Sequence, residues 1–144
     1  MDREKLREEE KSQDCADIQY LSDEDLKHVS DQIIKEFGGI NGIRNEALLE
    51  SALINPFQTF TGQDLYPTIL NKAIQLCYAI IKNHPFLDGN KRTGLHSLLI
   101  LLNINGWKID IAHDESIDII FNVADGSFNR QKFLLLLKEK IKED

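Results

Sequence analysis

The chain has 144 residues, of which 42% are hydrophobic and 28% charged, the balance of a single folded domain. Its formal net charge of −7 argues against non-specific binding to nucleic acid, because such binding depends on clustered Lys and Arg. No apolar run approaches the roughly 18–20 residues of a membrane span, and the charged start Met1–Lys5 lacks the apolar region of a secretory signal, so we expect a cytoplasmic protein that binds neither nucleic acid nor membrane.

The first 17 residues differ in composition from the rest of the chain. They alternate acidic and basic side chains densely and contain few apolar ones. Such a segment cannot bury enough apolar surface to hold a fold. We therefore interpret residues 1–17 as a charged flexible arm and place the folded domain at residues 18–144.

The next part of the chain has the apolar spacing of helices. A capping box formed by Ser22 and Asp25 marks the start of the first helix, and Gly38 marks its end. Its apolar stripe is formed by Leu26, Val29, Ile33 and Phe37. A second, short helix is predicted over about residues 45–55.

Between Pro56 and Pro67 the helical pattern is interrupted. The β-prone residues around Gly62 predict a hairpin-like flap or an ordered loop in this segment. Pro67 can occupy the first turn of the helix that follows. The apolar stripe of that helix reaches about Lys82.

Segment 95–104 is apolar on nearly every side, which predicts a helix buried at the centre of the domain and stopped by Gly106. A short extended piece is expected at 107–112. Asp114 should then cap another helix, and a last helix should run from 129 to 142. Tandem helices without an internal repeat predict an all-α fold, a helical bundle with a central buried helix and a small flap.

The candidate functional residues lie in segment 84–92, His-Pro-Phe-Leu-Asp-Gly-Asn-Lys-Arg. If a helix begins near Gly89 or Asn90, the main-chain N–H groups of its first turn have no intrahelical partners. Together with the helix dipole, these groups form an anion site. Gly89 permits a close approach of the backbone to a ligand, and the planar guanidinium of Arg92 suits phosphate oxygens.

Two side chains flank this anion site. His84 belongs to the residue type that titrates near neutral pH, so it can accept a proton from a hydroxyl nucleophile. Asp88 supplies oxygen ligands of the kind that Mg²⁺ prefers beside a polyphosphate. Phe86, between polar neighbours, is expected to anchor the loop in the core. A base, a metal carboxylate and a phosphate cradle are the parts that phosphoryl-type transfer needs, because that chemistry depends on positioning and charge neutralisation.

The run 84–92 resembles the motif of the Fic family, His-Pro-Phe-x-Asp/Glu-Gly-Asn-Gly/Lys-Arg. Further segments are similar to the death-on-curing (Doc) branch of that family: Tyr20-Leu21-Ser22, Phe37-Gly38-Gly39, residues 48–53, residues 62–67 and Asn105-Gly106-Trp107. The resemblance covers about residues 18–142. It implies an all-α Fic fold in which the motif spans a loop and the start of the central helix.

The resemblance implies a role for each residue of the motif. His84 would be the general base on the target hydroxyl, and Asp88 would bind Mg²⁺; Arg92 joins them as a catalytic residue. The phosphates of ATP, or of another nucleoside triphosphate, would be held by Gly89, Asn90, Lys91 and Arg92. The flap that clamps the main chain of the target in extended form would be built from Thr59, Phe60, Thr61 and Gly62.

Two positions depart from the pattern of most Fic adenylyltransferases. Lys91 stands where Gly is usual, and Leu95 stands where those enzymes carry a second Arg. Both departures resemble Doc, which implies a reversed nucleotide whose γ-phosphoryl group is transferred. We therefore expect phosphorylation of a Ser or Thr hydroxyl, with protein adenylylation (AMPylation, the transfer of AMP from ATP) as the alternative.

The control of this activity is also implied by the resemblance. Many Fic proteins block themselves with a Ser/Thr-x-x-x-Glu-Gly/Asn helix, and no Glu in this chain is followed by Gly or Asn. An antitoxin supplied by another chain is the expected restraint. The expected target is a protein of the translation machinery, with an elongation factor as the first candidate.

Two other functions are remoter alternatives to a Doc-like transferase. His113-Asp114 is the dipeptide of HD-type metal phosphohydrolases, whose sites need further His and Asp ligands converging from other helices. An inactive binding module of the same fold would have lost chemistry-bearing residues. In this chain the base, the metal carboxylate and the phosphate-binding positions of the run 84–92 are all present.

Overall fold

The computed structural model describes residues 18–144, and the predicted arm of residues 1–17 lies outside the described residues. The helices are α1 (Asp23–Phe37), α2 (Glu46–Ile54), α3 (Ile69–Asn83), α4 (Asn90–Ile104), α5 (His113–Ala124) and α6 (Arg130–Lys138). A 3₁₀ turn (Asn55–Phe57) follows α2. The strands are β1 (Thr59–Phe60), β2 (Gln63–Asp64), β3 (Trp107–Ile109) and β4 (Ile141–Glu143). The predicted all-α fold is confirmed.

Side-chain caps set the start of most of these helices. Ser22 accepts a hydrogen bond from the main-chain N–H of Asp25 (3.1 Å) and donates its own N–H to the Asp25 carboxylate (2.8 Å), which is the predicted capping box. Asn45, Thr68 and Asn129 cap α2, α3 and α6 with a side-chain oxygen. Each such cap contributes about 1 kcal/mol. Residues close to each of these four helix starts therefore determine where the helix begins.

The consecutive helices α3 and α4 form the centre of the domain and pack together more extensively than any other pair. Gly94 permits this approach, because a Cβ at that position would lie 3.2 Å from the carbonyl oxygen of Cys77. Helices α1 and α5 pack on α4, and α2 and α6 pack on α3. The fully buried side chains of the central pair include Ile69, Leu70, Ile74, Ile80, Leu98 and Leu102. Within residues 18–144 the structure contains no helix of the length and apolarity that a membrane crossing needs.

The predicted hairpin is present between α2 and α3. Strands β1 and β2 pair antiparallel, and the turn between them has Thr61 at φ +51° and Gly62 at φ +80°. At its root, the fully buried Lys72 of α3 places its Nζ 3.2 Å from the Asp64 carboxylate. The same ammonium group donates to the carbonyl oxygen of Tyr66. A buried cation therefore ties the hairpin to the central helix.

The prediction of a last helix running to residue 142 was wrong. Helix α6 ends at Lys138, and Ile141–Glu143 forms strand β4, antiparallel to β3 with Ile141 opposite Ile109. Strand β3 is the extended piece predicted after Gly106. The pairing gives the main chain of both segments hydrogen-bond partners and buries Ile141 to 2% exposure. Tertiary pairing therefore overrides the helical pattern here.

Two predicted helix starts were also wrong by a residue or two. Helix α5 begins at His113 with Ala112 in the N-cap position and no side-chain cap, so Asp114 lies in its first turn. A carboxylate in that turn still interacts favourably with the helix dipole. Pro67 likewise precedes Thr68, the cap of α3, instead of occupying the first turn.

Candidate functional site

His84 is the residue at which helix α3 ends. It is the C-cap of α3, its backbone is left-handed (φ +50°, ψ +57°), and its N–H donates to the carbonyl oxygen of Ile80 (3.1 Å). Such a conformation is uncommon for a residue other than glycine. The side chain is exposed, and its one recorded contact is a long one of 3.5 Å from Nδ1 to the carbonyl oxygen of Lys82. The ring nitrogen Nε2 has no hydrogen-bond partner among residues 18–144, so it can meet an incoming group.

Phe86 and Asn90 close the loop between α3 and α4. The Phe86 ring is buried, as predicted, and the Asn90 side chain forms two hydrogen bonds of 3.0 Å with the Phe86 main chain, one to its N–H and one to its carbonyl oxygen. Both ends of the Asn90 amide are thus used inside the protein. What Asn90 can offer a phosphate is its main-chain N–H.

Asp88 is held by the connection between α1 and α2. Its Oδ2 accepts a hydrogen bond from the main-chain N–H of Ile40 (2.8 Å). The approach is close enough to require glycine at position 39, because a Cβ there would lie 3.1 Å from the Cβ of Asp88 and 3.3 Å from Oδ2. The other carboxylate oxygen, Oδ1, has no partner within the described part of the chain. The carboxylate is therefore fixed in direction and keeps one oxygen for a cation.

The start of helix α4 is an uncapped N-terminus. Gly89 is its N-cap with φ +77°, and no side chain caps the helix. The first helical hydrogen bond runs from the N–H of Thr93 to the carbonyl oxygen of Gly89 (2.9 Å). The N–H groups of Asn90, Lys91 and Arg92 therefore have no helical acceptor. Unpaired N–H groups at a helix start are able to bind an anion, as the sequence prediction requires.

The two cations at this helix start lie over aromatic rings. The guanidinium carbon of Arg92 is 3.9 Å from the centre of the Phe37 ring, and the ammonium group of Lys91 is 4.8 Å from the centre of the Phe121 ring. Both rings are half-exposed. Phe37, expected on the buried stripe of α1, therefore lies at the surface of the site, and cation–π attraction holds both cations in place.

The motif residues that are predicted to contact a ligand all line one cavity of about 400 Å³. Its lining includes His84, Asp88 and the first turn of α4, together with Phe37 from the end of α1 and Phe121 from α5. This volume lies within the range of about 300–1,000 Å³ that small-molecule sites have. The cavity joins a side chain able to act as a base, a carboxylate and an anion site in one place.

Comparison with known proteins decides the family. Residues 20–102, more than half of the chain, match the model of the Fic/DOC family. The chain belongs to the Fic/DOC family. The match includes α1 to α3 and most of α4, and with them the whole of the Fic motif at residues 84–92.

Two relatives support the Doc branch of the family. A protein named "Toxin Doc" from Mycolicibacterium smegmatis is 37% identical over 90 residues, which cover 61% of this chain and 69% of the relative. A protein named "Protein kinase doc" from Escherichia phage P1 is 27% identical over 112 residues, which cover 78% of this chain and 87% of the relative. The predicted resemblance to the Doc branch is confirmed.

Residues 84–92 contain one carboxylate, that of Asp88. In residues 18–144 there is no group of three or more His, Cys, Asp or Glu side chains that could hold a metal ion by themselves. Mg²⁺ does not require such a group, because it keeps several waters and binds through one or two carboxylates and the phosphates of the substrate. Oδ1 of Asp88, beside the anion site, fits a cation held in this way. An HD-type phosphohydrolase needs further His and Asp ligands around His113 and Asp114, and residues 18–144 contain no such cluster.

The predicted flap lies outside this cavity. Thr59 and Phe60 form β1, Thr61 and Gly62 form the turn, and none of these residues is in the cavity lining. Phe60 is 69% exposed. The hairpin therefore offers an open edge and an apolar side chain to another molecule.

Sequence patterns did not show that the connection between α1 and α2 supports the loop of residues 84–89. Its main chain runs along the Fic loop: the N–H of Leu87 donates to the carbonyl oxygen of Gly42 (3.0 Å), and Arg44 and Asn45 donate to Pro85 (2.7 and 3.1 Å). Helix-stop signals alone identify this segment as a turn. Its contacts with the motif are between residues about 40 positions apart, which local patterns do not report.

His96 lies one helical turn past Arg92, beneath the Fic site. Burial lowers the pKa of its imidazole, the charges of His113 and Arg92 lower it further, and Glu36 opposes them. Its Nε2 is buried without a hydrogen-bond partner in the described residues. His96 is therefore a half-buried side chain that does not line the cavity.

Proposed function

We propose that this chain is a Doc-type toxin that transfers the γ-phosphoryl group of ATP to a Ser or Thr hydroxyl of a target protein. The observation that carries the proposal is the convergence of His84, Asp88 and the free N–H groups of α4 on one cavity. Each of the three supports a different part of the reaction. Membership of the Doc branch supports the same reaction class.

The phosphates of the nucleotide belong at the start of α4. The N–H groups of Asn90, Lys91 and Arg92 point out of the helix, and the dipole adds about half a positive charge there. The Arg92 guanidinium adds in-plane donors for phosphate oxygens. Mg²⁺ bound at Asp88 would neutralise the charge of the phosphates.

His84 is the proposed general base. The hydroxyl oxygen of the target forms a bond to the γ-phosphorus, and the bond from that phosphorus to the β–γ bridging oxygen breaks. The proton of the hydroxyl passes to Nε2 of His84, and ADP is the leaving group. A base at the open mouth of the cavity is accessible to a hydroxyl on a large partner.

The choice of phosphoryl over AMP transfer rests on two side chains. Leu95, at the place of the second Arg of adenylyltransferases, is buried to 3% exposure and offers no charge to a γ-phosphate. Lys91 lies over Phe121 and fills a place where those enzymes have no side chain. These features support a reversed nucleotide, as does the name of the phage relative, "Protein kinase doc". Adenylylation is the alternative.

Membership of the Doc branch also supports a proposal for the partners of this chain. The name of the mycobacterial relative, "Toxin Doc", supports a toxin restrained by an antitoxin from another chain. The target would be a protein of the translation machinery, with an elongation factor first. The open edge of the β1–β2 hairpin, Thr59 to Gly62, would bind an extended segment of that target.

The test is a pair of labelling reactions. The purified protein is incubated with a cell extract and Mg²⁺, once with γ-labelled and once with α-labelled ATP. Label from the γ position alone is the expected result, and the His84→Ala variant should give none. His113→Ala, which changes an exposed histidine outside the cavity, is the matched control and should label normally. Label from the α position would support adenylylation, and no label from either nucleotide would refute a transferase.

A further inference from the structure

One arginine outside the cavity holds the main chain on which the proposed base sits. Arg44 donates from Nε to the carbonyl oxygen of His84 (2.6 Å) and from Nη2 to that of Asn83 (2.7 Å). Its main-chain N–H donates to the carbonyl oxygen of Pro85 (2.7 Å). Three consecutive carbonyl groups are therefore bound by a single residue.

These bonds meet a need of the helix end. The last carbonyl groups of an α-helix have no intrahelical partners and must find others. A guanidinium forms charge-assisted bonds and presents its donors in a fixed plane. Arg44 therefore fixes the orientation of two adjacent peptide groups, the one after Asn83 and the one after His84.

Those two peptide groups define the backbone conformation of His84. Its left-handed dihedrals are unfavourable for a residue with a Cβ and persist only where the surroundings impose them. The direction in which the imidazole leaves the main chain follows from those dihedrals. Among residues 18–144, the ring has a single hydrogen-bond contact, the 3.5 Å one to the carbonyl oxygen of Lys82. The main-chain bonds, more than the side-chain contact, set where the ring points.

We propose that Arg44 is the positioning residue for His84, holding the left-handed backbone that directs the imidazole into the cavity. The inference rests on the proposed function, in which His84 is the general base. Arg44 itself does not line the cavity. Its loss should therefore slow the transfer step and leave nucleotide affinity unchanged.

The side chain of Arg44 is exposed, so its replacement should leave the fold intact. We expect Arg44→Gln to lower kcat by about 10- to 100-fold, the loss that a displacement of roughly 1 Å at a reacting group produces. The Kd for ATP should stay within about twofold of the wild type, since the phosphate-binding groups are untouched. Arg44→Lys, with one ammonium in place of the planar fork, should recover part of the lost rate.

The matched control is Lys27→Ala. Lys27 lies on α1 and pairs with Glu46 (3.2 Å), the first residue of α2 and two residues after Arg44. It therefore joins the two helices that flank the connection, and within residues 18–144 it has no ion pair with the His84 loop. It should retain the wild-type kcat. Full activity of Arg44→Gln, or an equal loss in Lys27→Ala, would overturn the inference.

A second measurement separates this inference from the proposed function. The backbone and ring NMR signals of His84 are compared in the ligand-free wild type and Arg44→Gln, with His113 as the internal reference. A shift confined to His84 and its neighbours is expected. If the wild type transfers no label, the proposed function fails, but these signals still report whether Arg44 holds the backbone of His84. Unchanged His84 signals overturn the inference whether or not the wild type is active.

Discussion

The contact between Gly39 and Asp88 allows a sharp test of the metal carboxylate. In Gly39→Ala the new methyl group would lie 3.1 Å from the Cβ of Asp88, 3.3 Å from its Oδ2 and 3.2 Å from the Cδ1 of Ile34. Two of these atoms belong to Asp88, so the carboxylate must move and its bond to the N–H of Ile40 must lengthen. The backbone, at φ +119°, adds strain of roughly 1–3 kcal/mol.

We expect Gly39→Ala to lose roughly 1–3 kcal/mol of stability in urea unfolding. We also expect the Mg²⁺ concentration for half-maximal transfer to rise about tenfold, which corresponds to about 1.4 kcal/mol of lost metal binding. The matched control is Gly38→Ala. Its backbone is at φ +84°, but no atom lies within 4 Å of the added methyl group.

Gly38→Ala should therefore show similar backbone strain and an unchanged requirement for Mg²⁺. An unchanged Mg²⁺ requirement in Gly39→Ala, despite a measured loss of stability, would refute the assignment of Asp88 as the metal carboxylate. An equal rise in both variants would show that general loosening of the α1–α2 connection is responsible.

Three further outcomes follow from buried polar groups. Asn90→Ala removes both hydrogen bonds to the Phe86 main chain and should cost roughly 2–4 kcal/mol in urea unfolding, because two buried groups lose their partners. Lys72→Met removes the buried tie to Asp64 and should speed amide hydrogen exchange in the β1–β2 hairpin, with exchange in α4 as the internal control. Burial lowers the pKa of His96 in the folded state below its unfolded value of about 6.5, so the unfolded state binds more protons than the folded state. The free energy of unfolding therefore has its full value above that pH and falls as the pH drops toward the folded pKa of His96. His96→Leu should show a smaller loss of stability between pH 7.5 and pH 5.5 than the wild type, and an equal loss would contradict this account.

Features encoded by neighbouring residues could be predicted from the sequence. The capping box at Ser22, the end of α1 at Gly38 and the start of α4 at Asn90 each depend on hydrogen bonds or dihedral preferences within a few positions. The Fic motif is of the same kind, because nine consecutive residues carry it. Local chemistry therefore predicted the fold class, and it placed the candidate site at residues 84–92.

The direction in which a side chain points could not be predicted from the neighbouring residues. Asn90 at a helix start can turn its amide to a ligand or back to its own loop, and the sequence is the same in both cases. Only the path of the main chain at Phe86 shows that the amide turns inward. Phe37 has helical spacing with the buried stripe of α1, yet it is 44% exposed because it lies in the last turn, under Arg92.

Contacts between distant parts of the chain could not be predicted from local sequence patterns either. Arg44 and His84 are 40 residues apart, and Ile40 and Asp88 are 48 apart. Strand β4 exists only because β3 lies beside it. Periodicity describes which face of a segment is buried and carries no information about which segment covers it.

Among residues 18–144, the groups that the proposed reaction needs have no hydrogen-bond partners: Nε2 of His84, Oδ1 of Asp88 and the first N–H groups of α4. The Asn90 amide and Oδ2 of Asp88 are already bonded inside the protein, so they cost no rearrangement when a nucleotide enters. Arg92 is the apparent exception, since it is stacked on Phe37. A guanidinium that lies over a ring, however, uses its face and keeps its N–H donors free in its own plane. Arg92 can therefore stay stacked and bind a phosphate at once, and the ring holds the guanidinium in place before the phosphate arrives.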